Sequence, residues 1–166
     1  GLTLHRIWGF KPGDVLLHAL PVFHVHGLFV AIHCAMLNAS KMLFLQKFEV
    51  NTVVKHLPKA TVMMGVPTFY ARLLEHPSFD ESLCANMRLF ISGSAPLLPQ
   101  TWETFKQKTK HKILERYGMS EAGMIASNPL EGDRVPGTVG FGLPGTAVRI
   151  SNHDGTRTGL GEIGVL

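Results

Sequence analysis

The feature that most constrains this chain is a regular alternation of short apolar runs with segments of helical spacing. "DVLLHAL" (14–20), "KMLFLQ" (41–46), "TVMMGV" (61–66), "RLFIS" (88–92) and the run from Lys112 to Arg116 each read as a short buried strand. Between them lie helical segments. Residues 25–37 are apolar all round, which predicts burial on most sides, and Glu49 to Leu57 places Val50, Val53, Val54 and Leu57 on one face. Pro67 suits the first turn of a helix over "PTFYARLLEH", and Leu97 to Thr109 predicts a polar-faced helix. Strands alternating with helices predict an α/β fold: a layered, mostly parallel sheet with helices on both faces. From Pro129 onward Gly, Thr and Val dominate, and Asp154-Gly155 is a tight-turn signal between two strands. The expected organisation is an α/β part over 1–128 followed by the start of a β-rich subdomain over 129–166.

Composition removes several function classes. With 45% apolar and 17% charged residues, and with 17 Gly and 10 Pro scattered rather than periodic, the 166-residue chain is neither a disordered tail nor a collagen-like repeat. Its longest apolar stretch, Gly27 to Leu37, is interrupted by His33 and falls short of the ~20 residues that span a bilayer, so no membrane span is expected. The net charge of +4 has its densest run in "KQKTKHK" (106–112), where no aromatic residue is interleaved to stack on bases; a solvated helix face is expected, and no nucleic-acid partner. Cys34 and Cys84 are far apart and read as reduced thiols, which places the protein in a reducing, cytoplasmic compartment. Gly1 opens a helical pattern without Met and "GEIGVL" stops in a strand pattern, so a piece of a longer protein is expected.

Two motifs carry chemistry. "ILERYGMSEAG" (113–123) nearly spells a nucleophile elbow at Ser120, with Asp133 and His153 following in triad order. The elbow's second Gly is Ala122, however, and Glu121 would set a negative charge beside a developing oxyanion, which opposes acyl transfer. In "FISGSAPLL" (90–98) a strand ends at Ser92, and Gly93, Ser94 and Ala95 let the backbone come close to a ligand at the carboxyl edge of the sheet. Tyr117-Gly118 ends a second strand with an aromatic ring, a hydroxyl and a carboxylate nearby. Two such edges in neighbouring strands would hold a purine between them. "HVH" at His24 to His26 shares a strand face but has no third ligand close in sequence, so a zinc site is not expected.

Six motifs, "LPVFHVHGL", "GVPTFYARL", "LFISGSAPL", "ERYGMSEAG", "PGTVGFGLPG" and "GEIG", occur in the order and approximate spacing of the acyl-CoA synthetases of the adenylate-forming superfamily, and the chain resembles that family over essentially its whole length. Within it, "FHVHGL", the Arg of "GVPTFYARL" and "ERYGMSE" look like the malonyl-CoA synthetases. The resemblance implies ATP with Mg²⁺, CoA as co-substrate and a small carboxylic acid carrying a second carboxylate, joined through an acyl-adenylate. It implies an ATP/AMP-binding set of Gly93, Ser94, Ala95, Glu115, Arg116, Tyr117, Gly118, Met119 and Ser120. Tyr117 would stack on adenine, Ser120 would bond phosphate, and Glu121 would bind the metal, which makes Ser120 and Glu121 the catalytic pair. The implied substrate-binding set is His24 as a gate with His26 flanking it, Arg72 on the distal carboxylate, Ser94, and Met119 closing a short acyl pocket. An Arg fork suits that carboxylate because it offers two parallel charge-assisted bonds. The family's phosphate loop, ribose-binding aspartate, hinge and C-terminal domain with the catalytic lysine have no counterpart in residues 1–166. The chain by itself is therefore expected to be inactive, and an acid–CoA ligase for fatty or aromatic acids or a non-catalytic scaffold stand as the alternatives.

Overall fold

The computed structural model describes residues 1–151, 154, 156 and 162–164. Strands β1 (Val15–His18), β2 (Lys41–Phe44), β3 (Val62–Gly65), β4 (Leu89–Ser92), β5 (Leu114–Met119), β6 (Gly123–Ser127) and β7 (Phe141–Gly142) form one sheet in the order β2-β1-β3-β4-β5-β6-β7. The first five run parallel to their neighbours, as the alternating pattern predicts. β6 turns back antiparallel to β5, and β7 pairs antiparallel to β6. β8 (Arg149–Ser151) and β9 (Glu162–Gly164) pair with each other apart from this sheet, on either side of Asp154; Gly155 of the expected turn lies outside the described residues.

Each strand sends successive side chains to opposite faces, and two cores result. On one face Leu17, Met63, Phe90 and Ile113 pack with α3 (Val50–His56), α4 (Pro67–Leu74) and α5 (Pro99–Thr109) through Val53, Tyr70, Leu73, Trp102 and Phe105. On the other, Leu16, Met64, Ile91 and Leu114 meet α1 (Leu2–Ile7), a π-helix over His26–Ile32 and α2 (His33–Leu37). Pro67 and Pro99 each open a helix, where a missing N–H costs nothing. Of the apolar segment at 25–37, only one side is buried: Leu28, Phe29, Met36 and Leu37 face outward, with Met36 65% exposed. The expectation of burial on most sides is thus corrected. The sheet covers one face of the helix, and no described residue covers the other.

Buried polar bonds tie the layers together. Asp14, 2% exposed, accepts from the Arg88 guanidinium, the Thr61 hydroxyl and the Lys11 N–H, and so joins the amino ends of β1, β3 and β4. Trp8 Nε1 donates to Ser127 Oγ at 2.9 Å, holding α1 on β6. Burial by itself raises the Asp14 pKa, but the Arg88 bond and charge with the Lys11 and Thr61 bonds outweigh it and hold the carboxyl below its ordinary value. Its stabilisation is therefore complete above the ordinary carboxylate range and is lost as pH falls through the depressed pKa. Asp14→Asn leaves Arg88 without its counter-charge and should cost ~3 kcal/mol in urea unfolding. The acid limb of the stability curve should also flatten in the variant; an unchanged midpoint would show that the clasp contributes nothing.

Candidate functional site at the carboxyl edge of the sheet

The carboxyl ends of β1, β3, β4 and β5 converge on two adjoining cavities. The first, about 500 Å³, is lined by Leu20, Pro21, His24 to Gly27, Val66, Phe69, Ser94, Arg116, Gly118 to Ser120 and Met124. The second, about 330 Å³, is lined by Ser92, Ser94 to Leu97, Glu115 to Gly118, Gly137 and Val139. Ser94, Arg116 and Gly118 belong to both, so they form the wall between them. The pleat of β5 explains part of the division, because Glu115 and Tyr117 point away from Arg116 and line only the second cavity.

Arg116 is the chemical centre of the wall. It is 4% exposed, and its Nε and Nη2 have no hydrogen-bond partner. Burial pushes its pKa down to about 10, while the Tyr70 hydroxyl acts the other way, and the group stays charged at neutral pH. Gly93 makes room for it: a Cβ there would lie 2.6 Å from Arg116 Nη1 and closer still to Cζ. Ser94 takes the left-handed conformation, φ 71°, that a non-glycine residue adopts only at a cost of roughly 1–3 kcal/mol. Its Oγ lies 3.1 Å from His26 Nδ1. Burial first, then Arg116 and His18, drive the His26 pKa down to about 2, so the imidazole is neutral.

The second cavity is braced by Glu115. Its carboxylate accepts from Gly137 N–H at 2.9 Å, and the Asn128 side chain donates to Glu115 O and Thr138 O. Burial raises the Glu115 pKa against the bonds from Gly137 and Leu97. Tyr117 is half-buried and lines this cavity together with Ser94 and Ala95.

The other expected site residues divide. His24 and Met119 are exposed and line the first cavity, as does Ser120. Glu121 sits exposed beside Ser120 in the turn between β5 and β6, and lines neither cavity. Arg72 lies outside both cavities. It is exposed on α4 with its Cζ 5.1 Å from the centre of the Phe48 ring, and that ring stacks at 3.8 Å on Phe69, which does line the first cavity. Ser120 is followed by a turn and strand β6 rather than a helix, so the elbow geometry is absent and the nucleophile reading falls. His153 lies outside the described residues. Sequence reasoning missed that Arg116 is buried with free donors; its signal was the alternation of "LERYG", which puts Arg116 and Gly118 on one face of a strand beneath Gly93. Gly93→Ala should displace the guanidinium and cost about 1–3 kcal/mol in denaturant unfolding; an unaltered midpoint would mean that the wall yields freely.

The AMP-binding enzyme family matches residues 2–166. The mitochondrial malonate–CoA ligase of Mus musculus is 39% identical in an alignment 163 positions long that covers 89% of this chain and 28% of that protein. The ATP-bound crystal structure of MatB from Rhodopseudomonas palustris superposes with a TM-score of 0.94 at 50% identity, over 98% of this chain and 33% of that one. A malonyl-CoA ligase solved as a ternary product complex with methylmalonyl-CoA and AMP gives 0.83 at 35% identity, over 89% and 33%. The chain spans roughly three tenths of these relatives' length. With a family match over nearly every residue and relatives above 30% identity, the chain belongs to the AMP-binding enzyme family.

Proposed function

We propose that the chain forms the central acid- and nucleotide-binding part of an AMP-forming malonate–CoA ligase, which converts malonate, ATP and CoA to malonyl-CoA, AMP and pyrophosphate through a malonyl-adenylate. The observation that carries this reading is a buried guanidinium with unpartnered nitrogens on the wall of a largely apolar cavity of about 500 Å³. A monocarboxylic acid has nothing to offer such a cation beyond its reacting end. A dicarboxylic acid brings a second charge, and a desolvated Arg fork supplies it with two charge-assisted bonds. The activities named for the relatives support the same choice.

In this reading the first cavity takes the acid and the second the adenine. Tyr117 stacks on the base, the Gly93 to Ala95 backbone and Glu115 shape its rim, and the Ser120 hydroxyl bonds the phosphate. Met119 and His24 close the open side of the acid cavity. Arg72 enters as a second clamp on the distal carboxylate only if it leaves the Phe48 ring. Mg²⁺ fits Glu121: a hard cation takes carboxylate oxygen, and among the described residues no group of three His, Cys, Asp or Glu offers a fuller protein site. Bound there with ATP, it would neutralise charge that builds on the phosphates. A division into an AMP-binding part at 1–128 and the start of a β-rich subdomain at 129–166 draws support from β8 and β9 pairing apart from the main sheet, whereas β7 of the second part still joins that sheet.

No helix among the described residues is long and apolar enough to cross a membrane. A reducing compartment such as the cytoplasm is supported by the two free, buried thiols of Cys34 and Cys84. Supply of malonyl-CoA to fatty-acid metabolism would follow from the product. The second reading, a ligase for fatty or aromatic monoacids, is favoured by Leu20, Val66, Phe69 and Met124 in the lining of the first cavity.

CoA ligation by the complete enzyme separates the two. Malonate should win over butyrate and a long-chain acid, and Arg116→Met should lose ~30-fold or more of the malonate-to-butyrate ratio in kcat/KM. The ratio matters because an arginine on the reacting carboxylate would penalise both acids alike. Arg72→Ala in the same assay reports whether α4 contributes. A wild type that prefers monoacids would leave the family assignment standing and remove the malonate reading.

A further inference from the structure

We infer that His26 is a positioning residue for the acid: its Nδ1 fixes the Ser94 hydroxyl so that Ser94 and Arg116 together receive the carboxylate that malonate does not activate. The inference rests on the malonate reading above and adds a residue and a proton arrangement to it.

Ser94 holds a left-handed backbone at a strand end, with its side chain standing on the wall between two cavities. An exposed serine in that position has several hydroxyl directions open to it. The hydrogen-bond partner of the Ser94 hydroxyl is His26 Nδ1, at 3.1 Å. His26 is itself well anchored. It is 6% exposed at the first position of the π-helix, and the next residue, Gly27, packs so closely on the Pro21 carbonyl that no Cβ would fit. π-Helical turns of this kind occur often at functional sites.

Proton count then selects one arrangement. A serine hydroxyl has one proton, and a carboxylate only accepts. For Ser94 to donate to the carboxylate, its oxygen must accept from His26, so the imidazole carries its proton on Nδ1. The opposite tautomer would take the Ser94 proton for itself and present a lone pair to an anion. The imidazole need not be cationic for this, and beside the Arg116 guanidinium a second buried cation would be costly. Nε2, buried without a partner, is then left as an unprotonated acceptor.

The test compares wild type, His26→Leu, His26→Asn and His26→Gln in the complete enzyme, each checked for folding by its thermal transition and assayed with malonate and with butyrate. Asn places an amide N–H near the position of Nδ1, whereas the Gln amide reaches toward that of Nε2. The expected result for His26→Leu is a fall of about tenfold or more in the malonate-to-butyrate ratio, carried mainly by KM for malonate rather than kcat. His26→Asn should restore most of the ratio and His26→Gln should not. If the Leu variant fails to fold, the Asn–Gln pair decides alone. Equal behaviour of Asn and Gln, or a loss spread equally over malonate and butyrate, overturns the role of His26 while leaving the malonate reading intact. A wild type indifferent to malonate overturns the reading itself and this inference with it.

Discussion

A guanidinium held among apolar walls with two of its nitrogens unpartnered sets terms for everything near it. Arg116 excludes a side chain at Gly93, adds to the burial that keeps His26 neutral and feels the charge distribution of the Tyr70 hydroxyl in the opposite core, where Tyr70 itself donates to the Ile91 carbonyl at 2.5 Å. Isolated charges in such places are expensive, and a protein that keeps one has a use for it. The surrounding fold makes that cost bearable by placing the charge where a ligand can reach it. Its position at the carboxyl edge of a parallel sheet follows from the direction of β4 and β5, whose ends open into space that loops rather than helices must fill.

The rest of the sheet serves to hold that edge still. Asp14 gathers the amino ends of three strands at the far side, and the two cores clamp the strands by simple alternation of apolar residues. Where the alternation stops being apolar, at Arg116 and Gly118 on one face of β5 and Glu115 and Tyr117 on the other, the strand changes from a core element to a binding element. The change falls directly after Leu114: Glu115 on one face and Arg116 on the other are the first residues of β5 that belong to neither core.

Much of the fold was legible in the sequence. The five parallel strands follow from short runs with apolar residues, and the helices between them from helical spacing and, for α4, its opening Pro67. β6 was not legible, because "GMIAS" is short, contains one Gly and follows a turn without a strong hairpin signal. Its antiparallel pairing with β5 is a local hairpin, with Met119 opposite Gly123 and Arg116 opposite Ser127, but the turn at 120–122 carries no Asn-Gly or Asp-Gly signal to announce it. The candidate site was legible as a pair of strand-end turns, but the weight given to its two arginines was not. Arg72 sits over Phe48 through a contact between residues far apart in sequence, and burial of Arg116 depends on the absence of a Cβ on a neighbouring strand. The outward apolar face of the helix at 28–37 shows the limit of periodicity in another way: composition states that a face is apolar, while only packing states whether it is covered.

The partition shared by the two cavities makes them thermodynamic partners. Ser94, Arg116 and Gly118 each line both. In the proposed reading, a carboxylate that draws the guanidinium toward the first cavity would remove positive potential from the second, where the nucleotide base is placed. By reciprocity of binding free energies, whatever factor the acid imposes on nucleotide affinity the nucleotide must impose on the acid. If the proposed acid and nucleotide occupy the two cavities, the shared wall makes the affinity for each a property of the pair.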